Sequence, residues 1–201
     1  MTSSSDHSRR PGSPSPAVTQ AMQAAALLRA WDATSPRQEH DLARALELVH
    51  AVDCCRRDHF VPGHFTASAF VLSPDRTHFL LIFHDKLERW LQPGGHVEPT
   101  DRGLESAARR EVEEETGLVA HDLSIEHEGL FDLDVHRLPG RADEPAHEHF
   151  DLRFLFRARQ TDVRAGDGVR AARWLSLAEV ATLGDASVRR VGERLVARTG
   201  F

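Results

Sequence analysis

Residues 104–118 of this chain read LESAARREVEEETGL, and their spacing is where chemistry first becomes legible. At about 100° per residue, Leu104, Ala107 and Ala108 share one face of a helix; Glu111 and Glu115 continue that stripe, with Glu114 at its edge. Glu113 points away to solvent. A solvated charge run would set its carboxylates opposite the apolar stripe, whereas this helix extends its packed face with them. Carboxylates at such spacings repel by a few tenths of a kcal/mol per exposed helical pair, and more as burial increases, so a cation is called for. Arg110 can pair with Glu114 one turn on, yet a single guanidinium leaves negative charge uncompensated. Oxygen-only donors suit Mg²⁺ or Mn²⁺, hard cations that keep several waters and bridge to substrate phosphates. The preceding Pro93, Gly94 and Gly95 allow backbone carbonyls close to such an ion. On the helix alone, a Glu-rich surface helix is the rival reading.

The whole segment from Trp90 to Leu118 resembles the signature of the Nudix hydrolase (MutT-like) family. Arg110-Glu111-Val112-Glu113-Glu114-Glu115-Thr116-Gly117-Leu118 matches every specified position of the second half of that signature. The first half departs twice. Asp101 stands where the family has Glu, and the eight residues between it and Arg110 are one more than the family's spacing. The resemblance implies an α/β/α sandwich with a mixed β-sheet and hydrolysis of a diphosphate linkage in a nucleoside diphosphate derivative. It further implies that Glu111, Glu114 and Glu115 hold Mg²⁺ (or Mn²⁺), that the carbonyl of Gly94 is a fourth ligand, and that Arg110 orients the carboxylates. Many members take the general base from a Glu in the loop before the last core strand. Here that loop reads Ala165-Gly166-Asp167-Gly168-Val169, which leaves Asp167 or Glu111 as the base, with Glu111 ranked ahead.

Thirteen histidines are present, several of them near this segment or on the polar sides of strands. His147, His149 and Asp151 project together, being two apart on a strand. His64, His96, His147 and His149 are candidates for a substrate-binding face, where imidazole meets phosphate or ribose oxygens. Half-exposed strand residues without a role, and a zinc site built from His and Asp, are the other two readings. Trp90 and Phe65 can stack a base, although strand aromatics commonly belong to a core. The adjacent Cys54 and Cys55 read as incidental, and so few cysteines fit a reducing compartment.

The elements that must position these residues follow from periodicity. Met1 to Pro16 is rich in Ser, Pro and Arg and reads as a disordered tail. Residues 17–58 form an N-terminal helical segment. Its first helix, Ala17 to Ala30, is weak, while its second is opened by Ser35, Pro36 and Gln38 and carries Leu42, Ala45, Leu46, Val49 and Val52 on one stripe. That segment packs either on the main domain or on a second copy, making a homodimer. From Gly63 the period falls to two. Phe65, Ala67, Ala69 and Val71 alternate with His64, Thr66 and Ser68; later Phe131, Leu133 and Val135, then Phe150, Leu152, Phe154 and Phe156, alternate with polar partners. Phe79 to Phe83 is a continuous apolar strand and Ala171 to Leu175 a short last one. Ser176 with Glu179, then Asp185, open two closing helices. Residues 60–201 form the Nudix domain, an α/β (α+β) fold.

Length and charge bound the partners. At 201 residues the chain holds one catalytic domain with an appendage, and no run approaches the roughly 18 apolar residues of a membrane span. The net charge of −6 disfavours a general nucleic-acid binder; the resemblance implies a small-molecule nucleotide as partner, and the sparse cysteines fit a cytoplasmic location. Between Glu98 and Glu115 lie seven carboxylates and three arginines, a net of −4, so most of the surplus marks this one motif. Such a site accepts a polyphosphate only after divalent cations reverse its field, which predicts strict metal dependence. The alternative function is a Nudix domain that binds a nucleotide as a sensor without turnover; the intact carboxylates favour an enzyme.

Overall fold

The change of period at Gly63 marks where the sheet begins. The structure, a computed structural model, describes residues 14–141 and 144–199; most of the expected tail lies outside them. Two helices come first, α1 (Pro16–Ala30) and α2 (Pro36–Leu48), each opened by a serine whose side chain accepts from a first-turn N–H and by a proline in the first turn. The strands β1 (Gly63–Leu72), β2 (His78–His84), β3 (Arg89–Leu91) and β4 (Gly94–His96) lead into α3 (Leu104–Thr116). After a 3₁₀ turn, Ala120–Asp122, come β5 (Leu123–Leu138), β6 (His147–Ala158), β7 (Val169–Ser176), α4 (Leu177–Leu183) and α5 (Ala186–Thr199).

The sheet runs β3-β2-β1-β6-β5, with β4 added against β1 and β7 against β2. Only the β1–β6 pair is parallel, which makes the sheet mixed. Alternation along the strands assigns two cores. Phe65, Ala67, Ala69 and Val71 of β1 join Leu152, Phe154 and Phe156 of β6 under α3, together with Ala24 and Leu28 of α1 and Ala45 and Leu48 of α2. On the reverse face, Phe70, Leu72, Leu81 and Leu155 pack against Val180 of α4 and Val188, Val191 and Leu195 of α5. The result is an α/β/α sandwich with an N-terminal helical extension.

That extension packs on the main body. Gln20 of α1 donates through Nε2 to the carbonyls of Glu98 (2.8 Å) and Asp101 (3.3 Å), at the loop that leads into α3. Arg37 of α2 reaches round the β5 edge to Asp134 at 2.6 Å. Cys54 and Cys55 are free thiols buried in the larger core, as filling residues would be; the hydrogen bond with Cys54, and then burial, push the Cys55 thiol up.

The polar sides of β5 and β6 do not face water in their middle stretch: Asp132, Asp134, Asp151 and Arg153 are all buried. Arg153 donates to Asp151 (2.8 Å) and Asp132 (3.3 Å), contacts Asp134 at 3.3 Å and reaches Ser187 of α5; Arg190 and Arg194 close on Asp134 and Asp132 at 3.0 Å each. The polar period of these strands therefore records an ion network under α5. Buried charges survive only when paired and hydrogen-bonded in this manner.

Candidate active site

Two short segments build the site because each has the backbone the other requires. Helix α3 starts at Gly103, whose N–H donates to the Ser106 hydroxyl at 2.9 Å, and stops at Gly117, whose φ of 68° is the left-handed conformation that glycine adopts without penalty. Strand β4 pairs with β1 in the register Ser68–Gly94, Ala67–Gly95 and Thr66–His96. A side chain at Gly95 would place its Cβ 2.6 Å from Glu111 Oε1, so any larger residue there would push the Glu111 carboxylate aside. The Gly94 N–H donates to Glu115 Oε2 at 3.0 Å.

Arg110 organises the remaining acids. Nε and Nη2 hold the two oxygens of Asp101 at 3.1 Å each, Nη1 bridges Glu111 Oε1 (2.9 Å) and Glu114 Oε2 (2.8 Å), and Nη2 also donates to the His96 carbonyl at 2.8 Å. Asp101 meanwhile accepts from the Glu98 N–H at 2.8 Å, which closes the turn just before the stretch to Arg110 that is one residue longer than the family spacing. The shorter acid in the longer loop thus still meets the arginine. Glu114 is half-exposed at 54%, whereas Glu111 and Glu115 are drawn inward.

Burial raises the Glu111 carboxyl above its ordinary value even though Arg110 pulls the other way, and burial pushes Glu115 up to about 8. Three acids with one shared guanidinium are thus short of positive charge. An all-oxygen donor set with that deficit fits a hard divalent cation such as Mg²⁺. Asp167 stands exposed in the turn before β7. Its loop docks on the last turn of α3, the Gly166 N–H donating to the Glu115 carbonyl at 2.9 Å, whereas Glu111 lies about one turn earlier on the helix.

The histidines gather on the opposite face of the sheet. Because Gly95 faces α3, its neighbour His96 points the other way, beside His64 of β1 and His149 of β6. Ring centroids are 5.1 Å apart for His64–His96, 4.8 Å for His64–His149 and 5.2 Å for His96–His149. His147 stacks on His64 at 5.1 Å, and His136 of β5 lies edge-on to His149 at 5.6 Å. His64 and His147 are buried, so they are not half-exposed strand residues. Desolvation is the leading cause that lowers His64 and His96 to about 4 and His149 to about 2. Trp90 packs edge-on to Phe83 with Arg173 over its ring, and Phe65 is core, edge-on to Phe150. His136, on the polar side of the strand that carries Phe131, Leu133 and Val135, joins the group from two residues beyond Asp134.

The NUDIX domain family model matches residues 62–195. The chain belongs to the Nudix hydrolase family. Among solved structures, it is similar to the Escherichia coli dihydroneopterin triphosphate pyrophosphohydrolase (19% identity, 67% of this chain and 96% of that one, TM-score 0.52). It also resembles the Burkholderia pseudomallei MutT Nudix hydrolase (21%, 65% and 96%, TM-score 0.50). A third likeness is to the Nudix domain of Shewanella oneidensis NrtR complexed with ADP ribose (19%, 67% and 86%, TM-score 0.50). At these identities the likeness speaks for the fold. No curated protein matches the chain. The matched region begins after the two N-terminal helices, which are this Nudix pyrophosphohydrolase's own addition to the matched domain.

Proposed function

We propose that this Nudix hydrolase cleaves the diphosphate linkage of a nucleoside diphosphate derivative, such as ADP-ribose or a nucleotide sugar, with Mg²⁺ held by Glu111, Glu114, Glu115 and the Gly94 carbonyl. The observation that carries the reading is the set of three carboxylates gathered beneath Gly94 and Gly95 with too little positive charge of its own. When bound, the cation supplies charge neutralisation to the diphosphate and acidity to a water. Everything else belongs to the chain. Arg110 fixes Glu111 and Glu114 in one orientation, and the Gly94 N–H fixes Glu115. Glu111 Oε1 is engaged by Arg110, which leaves Oε2 as the atom that accepts the proton from the attacking water.

The test is a hydrolysis panel of ADP-ribose, nucleotide sugars, dinucleoside polyphosphates, NADH and oxidised nucleoside triphosphates, each with and without Mg²⁺. Turnover of at least one compound that vanishes without Mg²⁺ supports the reading. Tight binding of one compound with no turnover of any would make the protein a nucleotide sensor.

A further inference from the structure

The carboxylate site leaves the histidines on the other face of the sheet without a task. We propose that His64, His96 and His149 form a second metal site, for a transition-metal ion of the zinc class, separate from the acidic cluster. One ligand nitrogen from each ring lies within 4.8 Å of the other two. Zinc takes imidazole at about 2.0 Å, so closing three such atoms on one ion asks each ring to move inward by about 1 Å. The rings come from three strands, β1, β4 and β6, already fixed by their pairing, and that movement is within the swing of a side chain.

The hydrogen bonds point the same way. His64 Nδ1 is tied to the His59 carbonyl at 3.2 Å, which directs its proton there and leaves Nε2 as a bare lone pair. That Nε2 is buried with no hydrogen-bond partner, and so is Nε2 of His149. Two orphaned imidazole nitrogens within one cluster carry an uncompensated desolvation cost that a cation removes. Tethering the far nitrogen to an oxygen is also how metal-binding histidines are held in the right tautomer. The flanking rings repeat the pattern, with His147 Nδ1 on the Pro145 carbonyl at 2.8 Å and His136 Nδ1 on Asp134 at 3.2 Å. Nitrogen donors select zinc or its neighbours over Mg²⁺, and oxygen donors do the reverse, so the two sites sort different ions.

The experiment equilibrates the metal-free full chain with zinc alone, dialyses it, and measures bound zinc by mass spectrometry beside the absorption spectrum of the cobalt-loaded protein. One tightly held zinc per chain and an intense tetrahedral cobalt spectrum are expected. His149→Ala should weaken zinc binding by more than the roughly 10- to 100-fold typical of losing a mere outer partner. Glu115→Gln should leave zinc affinity unchanged, and because the readout is metal content, the result stands whatever the hydrolysis panel shows. Should His149→Ala fail to fold, ¹⁵N-histidine spectra of the unmutated protein decide: zinc must move the Nε2 resonances of His64 and His149. Absence of retained zinc, no movement of those resonances, or zinc lost with Glu115→Gln rather than His149→Ala would overturn the proposal.

Discussion

Arg110 binds four groups at once, and that sharing decides which oxygens are left to act. With Glu111 Oε1 engaged and Oε2 left over, Glu111→Gln should lower kcat by about 10²- to 10⁴-fold, the range for a lost general base. Asp167→Asn, in its exposed turn, should change kcat by only a few-fold. The reverse ordering in steady-state kinetics would move the base to the loop. A second residue-scale consequence concerns Asp134. Its carboxyl lies well below the usual carboxylate range: burial alone would raise it, but Arg153, His136 and Arg37 outweigh burial. A depressed folded value means stabilisation that is full above the unfolded value of about 3.9 and lost as pH falls through the folded one. Asp134→Ala should therefore cost about 3–5 kcal/mol at pH 7, as for a broken buried pair. The gap to the unmutated protein should narrow only in strong acid, as read by denaturant unfolding at several pH values. Glu111, Glu114 and Glu115 were legible as residues because one helix holds all three. The ion network was not, since Asp134 and Arg153 meet only through strand pairing and α5; the histidines were legible as candidates strand by strand, and pairing is what brings His64, His96 and His149 together.

At the scale of elements, Ser35 and Ser176 mark the starts of α2 and α4, and the apolar stripes place α1 and α3, because caps and periodicity are local; the stripe of α2 overruns, since the helix ends at Leu48 and Val52 lies exposed in the following turn. The three-residue strands β3 and β4 have no period to read; their partners on β2 and β1 create them. Likewise, β5 runs for 16 residues through two register shifts, and only its Phe131–Val135 stretch alternates cleanly. The N-terminal helices are the element whose partner had to be seen. Leu28 of α1 is fully buried in the core it shares with α3, so Leu28→Ala should cost about 2–5 kcal/mol. Starting the chain at Val61 would strip that whole layer and the Gln20 bonds to the loop of Asp101. Such a chain should aggregate or unfold, as read by size exclusion and circular dichroism. A soluble, folded monomer from Val61 onward would show that the domain closes its core without the extension.

Over the whole molecule, the charge distribution makes the acidic motif an electrostatic gate. The segment from Glu98 to Glu115 holds net −4 of the chain's −6, and its acids are partly enclosed, where fields are screened less than at an open surface. A diphosphate approaching the protein without divalent cations is repelled, and added salt relieves that repulsion. With Mg²⁺ bound, the segment's net charge would fall from −4 to −2, and a diphosphate that meets the cation directly would be attracted to it, so added salt would screen an attraction instead. Binding of a methylene-bridged, uncleavable ADP-ribose analogue should accordingly tighten with NaCl in Mg²⁺-free buffer and weaken with NaCl in saturating Mg²⁺. Calorimetric titrations across a salt series at both conditions read the two slopes. The zinc proposed for the histidines lies on the opposite face of the sheet, so holding zinc constant across both series isolates the carboxylate site. Slopes of the same sign with and without Mg²⁺ would mean that the carboxylate cluster does not meet the phosphates, and the gate would have to lie elsewhere on the molecule.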